Sequence, residues 1–266
     1  MKTIFITGAS SGIGKASAKF FRAKGWNVIA TMRSPEKETE LTQLENITIL
    51  PLDITDAEQI LSTVKKATSL HDIDVVLNNA GYGLFGAMEA LSNEQITQQV
   101  NTNLIGTMQV TQAFIPYFRE KQKGSFITVT SIAGLMAYPF GSVYHATKWA
   151  LEGWSESLSI ELSMFNIGVK TVSPSGTNTN FSGSSLDLGS HPIYNETIEK
   201  TMGGFSSPST PEEIAEIIYE AATDNKDQLR YLAGQNANQR YARRLEIGPE
   251  AFRKEILQWF TDIRNS

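Results

Sequence analysis

Residues 3–14 read TIFITGASSGIG, an apolar β-rich run over Thr3–Thr7 that breaks into a turn carrying Gly8, Gly12 and Gly14. A helical pattern, Ala16–Lys24, follows at once. Glycines in such a turn let the backbone approach a pyrophosphate closely, and the charge then sits at the helix N-terminus. The spacing is G-x-x-x-G-x-G rather than G-x-G-x-x-G. A glycine turn alone says little, because loops use glycine for many reasons. Its place between a first strand and a first helix gives it meaning. Gly8, Ser10, Ser11, Gly12, Ile13 and Gly14 are therefore the candidate phosphate contacts.

The same rhythm continues outward. Short apolar runs recur at Asn27–Thr31, Ile47–Leu50, Asp74–Leu77, Ser125–Thr130 and Gly168–Ser173, with a further one near Leu229–Ala233. Helical patterns separate them at Ala57–Leu70, about 93–121 and Val143–Phe165. Strands that are apolar throughout, joined by helix-length connections, predict a parallel sheet covered on both faces. With right-handed crossovers this is an α/β fold, a doubly wound, Rossmann-like sheet. No internal repeat or low-complexity linker divides the chain, so residues 1–266 are expected to form one domain. Residues 175–210, rich in Ser, Gly, Asn, Thr and Pro, read as a long flexible loop beside the substrate. Residues 236–266 read as a charged helical tail, with Trp259 and Phe260 as its packing residues.

Composition excludes several classes. The chain has 266 residues, 41% of them hydrophobic and 19% charged, and no cysteine. Disulfides, a cysteine nucleophile and a zinc–thiolate site are ruled out. His71, His145 and His191 stand far apart, so no metal site is expected. A net charge of −5 argues against nucleic acid as the main partner. No stretch approaches the roughly 18 apolar residues of a membrane span. The start, Met1-Lys2-Thr3, leads directly into a strand without a signal-peptide pattern, and a cytoplasmic protein is the expectation.

The residue at the end of the second strand reports on the dinucleotide. An NAD site uses an acid there to bond the ribose 2′-hydroxyl. Here the chain reads Thr31-Met32-Arg33-Ser34, with no acid before Glu36. Arg33 suits a 2′-phosphate, which a carboxylate would repel. NADP(H) is thus favoured over NAD(H); the alternative is that Arg33 is a solvated surface arginine.

Taken in order, these residues resemble the short-chain dehydrogenase/reductase family. The resemblance is carried by the Gly8/Gly12/Gly14 turn, Asp53 in Leu52-Asp53-Ile54-Thr55, and Asn78-Asn79-Ala80-Gly81. It continues with Asn103 in Asn103-Leu104-Ile105-Gly106-Thr107, Ser131, and Tyr144-His145-Ala146-Thr147-Lys148. It implies a catalytic set of Asn103, Ser131, Tyr144 and Lys148. It also implies that Asp53, Ile54, Asn79, Ala80, Gly81, Tyr144 and Lys148 contact the cofactor. One departure stands out: Pro174-Ser175-Gly176 displaces by one the glycine of the family's Pro-Gly, with Thr179 at the threonine position. Pro174, Gly176 and Thr179 are the candidates for the nicotinamide end.

Tyr144 and Lys148 lie at i, i+4, on one helix face. A nearby ammonium favours the phenolate and is expected to lower the tyrosine pKa, making Tyr144 a general acid or base. By the resemblance, Lys148 also bonds the nicotinamide ribose, Ser131 holds the substrate oxygen, and Asn103 holds a water linking Lys148 to solvent. His145 points about 100° away around the helix and reads as structural or as pocket edge.

Tyr82, Leu84, Phe85, Ala133, Met136, Tyr138, Phe140 and Phe181 are the candidate substrate contacts, or else simply core. They are largely apolar and include no cluster of Arg or Lys. The expected partner is a hydrophobic small-molecule carbonyl or alcohol. The stretch Tyr144–Leu158 resembles the subgroup of hydroxysteroid and retinol dehydrogenases and carbonyl reductases. The resemblance further implies a homodimer or homotetramer. Two alternatives remain open at this level: nicotinamide-linked epimerisation or dehydration on the same fold, and a non-catalytic NADP-binding sensor or scaffold.

Overall fold

A computed structural model describes residues 1–176, 186–203 and 209–265. Its strands are β1 (Thr3–Ile6), β2 (Asn27–Met32), β3 (Ile47–Pro51), β4 (Val75–Asn78), β5 (Gly83–Phe85), β6 (Gly124–Val129), β7 (Ile167–Pro174), β8 (Leu186–Leu188) and β9 (Arg230–Ala233). Its α-helices are α1 (Gly12–Ala23), α2 (Ala57–Leu70), α3 (Asn93–Val100), α4 (Thr107–Lys121), α5 (Ser142–Ser163), α6 (Pro192–Gly203), α7 (Pro211–Thr223), α8 (Gln235–Ile247) and α9 (Pro249–Asn265).

Seven strands form one sheet in the order β3-β2-β1-β4-β6-β7-β9. Every pairing in it is parallel. Successive side chains of a strand point to opposite faces, so β1 feeds two cores. Ile4 and Ile6 join Phe21, Trp26, Ile214 and Ile218 on the α1/α7 face. Phe5 joins Phe114, Phe118 and Phe126 on the other, against α4 and α5. Tyr219 of α7 meets Phe21 and Trp26 edge-on at 5.2 and 6.3 Å. The chain runs from β1 outward to β3, then returns to β4 and proceeds the other way. The strand order therefore reverses at β1/β4, and ligands of such sheets bind in the crevice beyond that point.

The doubly wound parallel sheet expected from the sequence is present, with strand ends within about two residues of their expected places. Four departures concern the elements around it. The helix expected over 93–121 is three pieces: α3, a π-helical turn at Asn101–Gly106, and α4. Gly106 sits so close to Ile54 that an added Cβ would meet its side chain at 3.0 Å. The segment 175–210 contains β8 and α6 rather than loop alone; α6 leaves Ile193 exposed while burying Ile198, which blurs its periodicity. β8 pairs in parallel with β5 as a separate two-stranded ribbon. The tail is two helices, broken at Gly248, whose φ is +82°.

Candidate active site

A cleft of about 1370 Å³ opens beyond the β1/β4 switch point. Gly8 and Gly12 adopt left-handed φ of +67° and +53°, conformations that favour glycine. A Cβ on Gly8 would stand 2.8 Å from the Ala80 Cα. Gly14 is not on the cleft wall; it lets α1 pack directly onto the Gly8 carbonyl and the Asn79 side chain. Asn79 fixes the turn by donating to the carbonyls of Thr7 and Gly8 at 2.9 and 3.0 Å. The Thr7 hydroxyl in turn accepts from the N–H groups of Asn79 and Ala80. Ser11 makes no side-chain cap on α1, whose first turn carries no acid. Its leading N–H groups are thus left for an anion. A dinucleotide pyrophosphate fits this cradle.

Arg33, Asp53, Ile54, Ala80 and Gly81 line the same cleft, as do Ser10, Ser11 and Ile13. The Asp53 carboxylate accepts from the Thr55 N–H at 2.9 Å and its hydroxyl at 2.7 Å, which shapes the loop after β3. Arg33 is exposed at the rim. Glu38, five residues on, is turned into the fold. Its Oε1 accepts from the N–H groups of Glu40 and Leu41, both at 2.9 Å, and pairs with Lys15 at 3.1 Å. Burial pushes its pKa up, but those donors outweigh this and hold it below the usual carboxylate range. Its carboxylate is therefore already committed.

Ser131, Tyr144 and Lys148 line the same cleft. Ser131 follows β6 by two residues and caps the short helical turn Ile132–Gly134, accepting from the Ala133 N–H at 3.1 Å. It also hydrogen-bonds with Tyr144. Lys148 donates to the Val129 carbonyl at 2.9 Å, and its Nζ lies 5.7 Å from the Tyr144 ring centre. Both side chains are buried. Burial pushes the Tyr144 pKa up to about 12, against the hydrogen bond with Ser131. It pushes Lys148 down to about 8, against the field of Glu152. The expectation of a lowered Tyr144 pKa is thereby corrected: desolvation disfavours the phenolate more than the Ser131 hydroxyl favours it. The phenol stays protonated through neutral pH.

Asn103, from the π turn, lies beneath this wall rather than on it. Its Oδ1 accepts from the Tyr82 N–H at 3.0 Å, and its Nδ2 donates to the Tyr82 carbonyl at 2.9 Å. A Cβ on Gly81 would meet the Asn103 Oδ1 at 3.0 Å. His145 lines the cleft edge and holds the local backbone, in keeping with a structural or pocket-edge residue. Its Nδ1 bonds the Ala133 carbonyl at 2.7 Å, and its Nε2 accepts from the Tyr138 N–H at 3.1 Å.

One buried residue that the sequence reading did not single out supports the set from below. Glu152, one turn beyond Lys148, takes hydrogen bonds from Thr130 at 2.6 Å and Ser173 at 2.9 Å. It also pairs with Arg230 at 2.8 Å. These contacts tie α5 to β6, β7 and β9. Thr171 also donates to Glu152, at 3.3 Å. Glu152→Ala leaves a cation and three hydroxyls without their acceptor, and is expected to cost about 3 kcal/mol. Urea unfolding measures it; a loss below about 1 kcal/mol contradicts the tie.

At the substrate end, Tyr82, Phe85, Ala133, Tyr138 and Phe140 line the cleft, as do Pro174 and Gly176. Leu84 and Met136 do not: both are fully buried core residues. The alternation of β5 turns Leu84 inward and Phe85 to the cleft. Thr179 and Phe181 lie outside the described residues. The wall is also less apolar than the sequence implied, because α8 brings Asn236 and Arg240 to it. No local signal marks those two, since only the tertiary fold carries α8 to the cleft. Among the described residues no group of acidic and histidine side chains could hold a metal, and no helix is long and apolar enough to cross a membrane.

Comparison with known proteins agrees with this geometry. The solved structure of a short-chain dehydrogenase from Streptomyces avermitilis superposes with a TM-score of 0.84 at 30% identity, covering 99% of this chain and 98% of that one. An alcohol dehydrogenase from the archaeon Thermococcus sibiricus, complexed with 5-hydroxy-NADP, superposes with a TM-score of 0.73 at 27% identity, over 87% of this chain and 95% of that one. Human retinol dehydrogenase 8 is 34% identical over 194 residues, 70% of this chain and 62% of that protein. The family model described as short chain dehydrogenase matches residues 2–187. The chain belongs to the short-chain dehydrogenase/reductase family and is an oxidoreductase of the nicotinamide-dependent kind.

Proposed function

We propose that this enzyme uses NADP(H) to interconvert a carbonyl compound and its alcohol, with Tyr144 as the proton donor and acceptor. The observation that carries this is that Ser131, Tyr144 and Lys148 line the same cleft as the glycine cradle. The bound nicotinamide supplies or accepts the hydride. In reduction, the neutral Tyr144 phenol gives its proton to the oxygen that gains charge, and the Ser131 hydroxyl holds that oxygen in place. Lys148 keeps its charge below about pH 8 and stabilises the phenolate left behind. Asn103, through its two bonds to Tyr82, keeps the loop after β4 at its post beside the tyrosine. The bound NADP analogue in the Thermococcus sibiricus alcohol dehydrogenase supports the choice of cofactor.

The test is NADPH consumption across a panel of aldehydes, ketones and steroids. Consumption with none of them contradicts the reading. The preference for NADP(H) rests on Arg33 at the rim and on the committed Glu38. Arg33→Asp removes charge-assisted bonds worth about 1.5–3 kcal/mol. The NADPH/NADH ratio of kcat/KM is therefore expected to fall by about 10–100-fold. An unchanged ratio assigns the 2′-phosphate elsewhere. Exposed Ile160 on α5 and Met164 just beyond its end support a homodimer or homotetramer, which light scattering decides.

A further inference from the structure

The chemistry proposed for Tyr144 needs Lys148 charged, yet Lys148 is buried, where the neutral amine is the favoured form. Its Nζ donates to the carbonyl of Val129, a dipole and not a counter-charge. The nearest acid along the chain is Glu152, one turn further on α5 and only 4% exposed. Side chains four apart on a helix share a face, with Cβ atoms about 5–6 Å apart, and each leans toward the helix N-terminus. Glu152 therefore leans back toward Lys148.

Two further contacts bring the pair together. Lys148 holds the Val129 carbonyl, and the hydroxyl of the next residue, Thr130, donates to the Glu152 Oε1 at 2.6 Å. Both charges thus grip adjacent residues at the end of β6. Gly134 covers the same stretch of α5. A Cβ there would stand 2.7 Å from the Lys148 carbonyl and 3.0 Å from the Glu152 Cγ, so the Ile132–Gly134 turn packs directly onto the helix between the two charges.

Glu152 is the charged group that raises the Lys148 pKa against burial. Around the lysine, burial raises the pKa of Tyr144 and Tyr82 and lowers that of His145, so all three favour their neutral forms. Glu94, the acid of α3, is exposed to solvent. On β7, Thr171 and Ser173 donate to Glu152, while Lys170 turns to the other face and pairs with Asp224 at 2.8 Å. β9, the edge strand, contributes Arg230, whose Nε lies 2.8 Å from the Glu152 Oε2 and whose Nη2 lies 3.6 Å from Glu156. Charges of alternating sign therefore run from the cleft to the sheet edge: Lys148, Glu152, Arg230, Glu156.

We propose that Glu152 is a positioning residue for the reaction, its carboxylate keeping the buried Lys148 ammonium charged while Arg230 tempers that field. The three hydroxyls on Glu152 hold it as the anion, which makes it a fixed charge and not a proton carrier. What the lysine charge is used for rests on the carbonyl–alcohol reading, whereas the charge itself can be read without turnover.

The experiment follows the Lys148 titration in the intact protein by NMR of lysines isotope-labelled at Cε, with the signal assigned by its loss in Lys148→Met. The native midpoint is expected near about 8. Glu152→Gln keeps the size of the side chain but not its charge, and should lower the midpoint by about one pH unit or more. The pH–rate profile of carbonyl reduction should move with it, leaving kcat at pH 8 about fivefold lower with KM little changed. Arg230→Gln breaks the same tie but removes a positive charge, so its midpoint should hold or rise. Thermal melts show which variants fold. The double variant Glu152→Gln/Arg230→Met replaces the ion pair by neutral groups, a change that buried sites tolerate, and serves if the single variant does not fold. An unmoved midpoint in the folded Glu152→Gln protein, single or double, overturns the proposal. So does a fall in Arg230→Gln as large as that in Glu152→Gln, which marks a loosened wall and not a field. Failure of the carbonyl–alcohol reading shows separately, as absence of NADPH consumption by the native protein while the Lys148 midpoint still falls in Glu152→Gln.

Discussion

Tyr144→Phe is expected to lower the rate of carbonyl reduction by about 10²–10⁴-fold, the contribution of a well-placed general acid. The substitution removes one oxygen and keeps the ring, which packs against Phe85 at 5.5 Å. Ser131 keeps its bond from the Ala133 N–H, so the end of β6 has no reason to move. The phosphate cradle, built by Gly8, Gly12 and the start of α1, lies across the cleft from the lost hydroxyl. NADPH should therefore bind with nearly native affinity, read by fluorescence titration. The loss should appear in kcat and kcat/KM alike, as for an interaction made in the transition state. Because the phenol pKa is pushed up to about 12, the native acid is in its active form throughout neutral pH. A variant turning over within a few fold of the native rate sinks the assignment of Tyr144.

The sheet was legible from the sequence because a buried parallel strand needs apolar residues on both faces, and runs such as TIFIT and SFITVT show it directly. The cradle was legible for a related reason. Gly8 and Gly12 need left-handed φ and Gly14 needs an absent Cβ, so glycine marks the geometry. Tyr144 and Lys148 declared their shared face by spacing, but their electrostatics did not follow from it. Desolvation depends on what surrounds α5, and no local pattern reports it.

What escaped the sequence came from distant parts of the chain. Glu152 gains its meaning from Thr130, Ser173 and Arg230, up to 78 residues away. Arg240 meets Tyr138 across 102 residues. The start of α7 carries a sequence signal, for Thr210 and Glu213 form a capping box with Pro211 at the first turn. That signal was present, and the surrounding Ser- and Pro-rich composition masked it. The π turn at Asn101–Gly106 ends at Gly106, which sits close against Ile54, and a helical period alone cannot reveal it.

Lys148→Met is expected to make the protein more stable and the enzyme much slower. The native lysine is buried, and its pKa of about 8 lies below the 10.5 of an ordinary lysine. The unfolded chain therefore binds the extra proton more readily between pH 8 and 10.5. Stability rises with pH across that window, and the full penalty of burying the charge applies below pH 8. At about 1.4 kcal/mol per pH unit, the penalty is about 3 kcal/mol. Methionine has no charge to desolvate but leaves the Val129 carbonyl without its donor, a loss of about 1 kcal/mol. The net gain of about 2 kcal/mol at pH 7 raises Tm by about 4–8 °C. It should shrink to nothing by about pH 10, where the native lysine is largely neutral. Over the same range native carbonyl reduction should fall as pH rises past about 8, because the uncharged amine no longer supports the phenolate. The variant, lacking that support at every pH, should be slower by about 10²-fold or more at pH 7 and lose this inflection. Melts at pH 7 and 10, beside pH–rate profiles of both proteins, measure each part. A variant less stable than the native protein at pH 7 refutes the electrostatic account; a retained inflection near pH 8 removes Lys148 from the proton transfer.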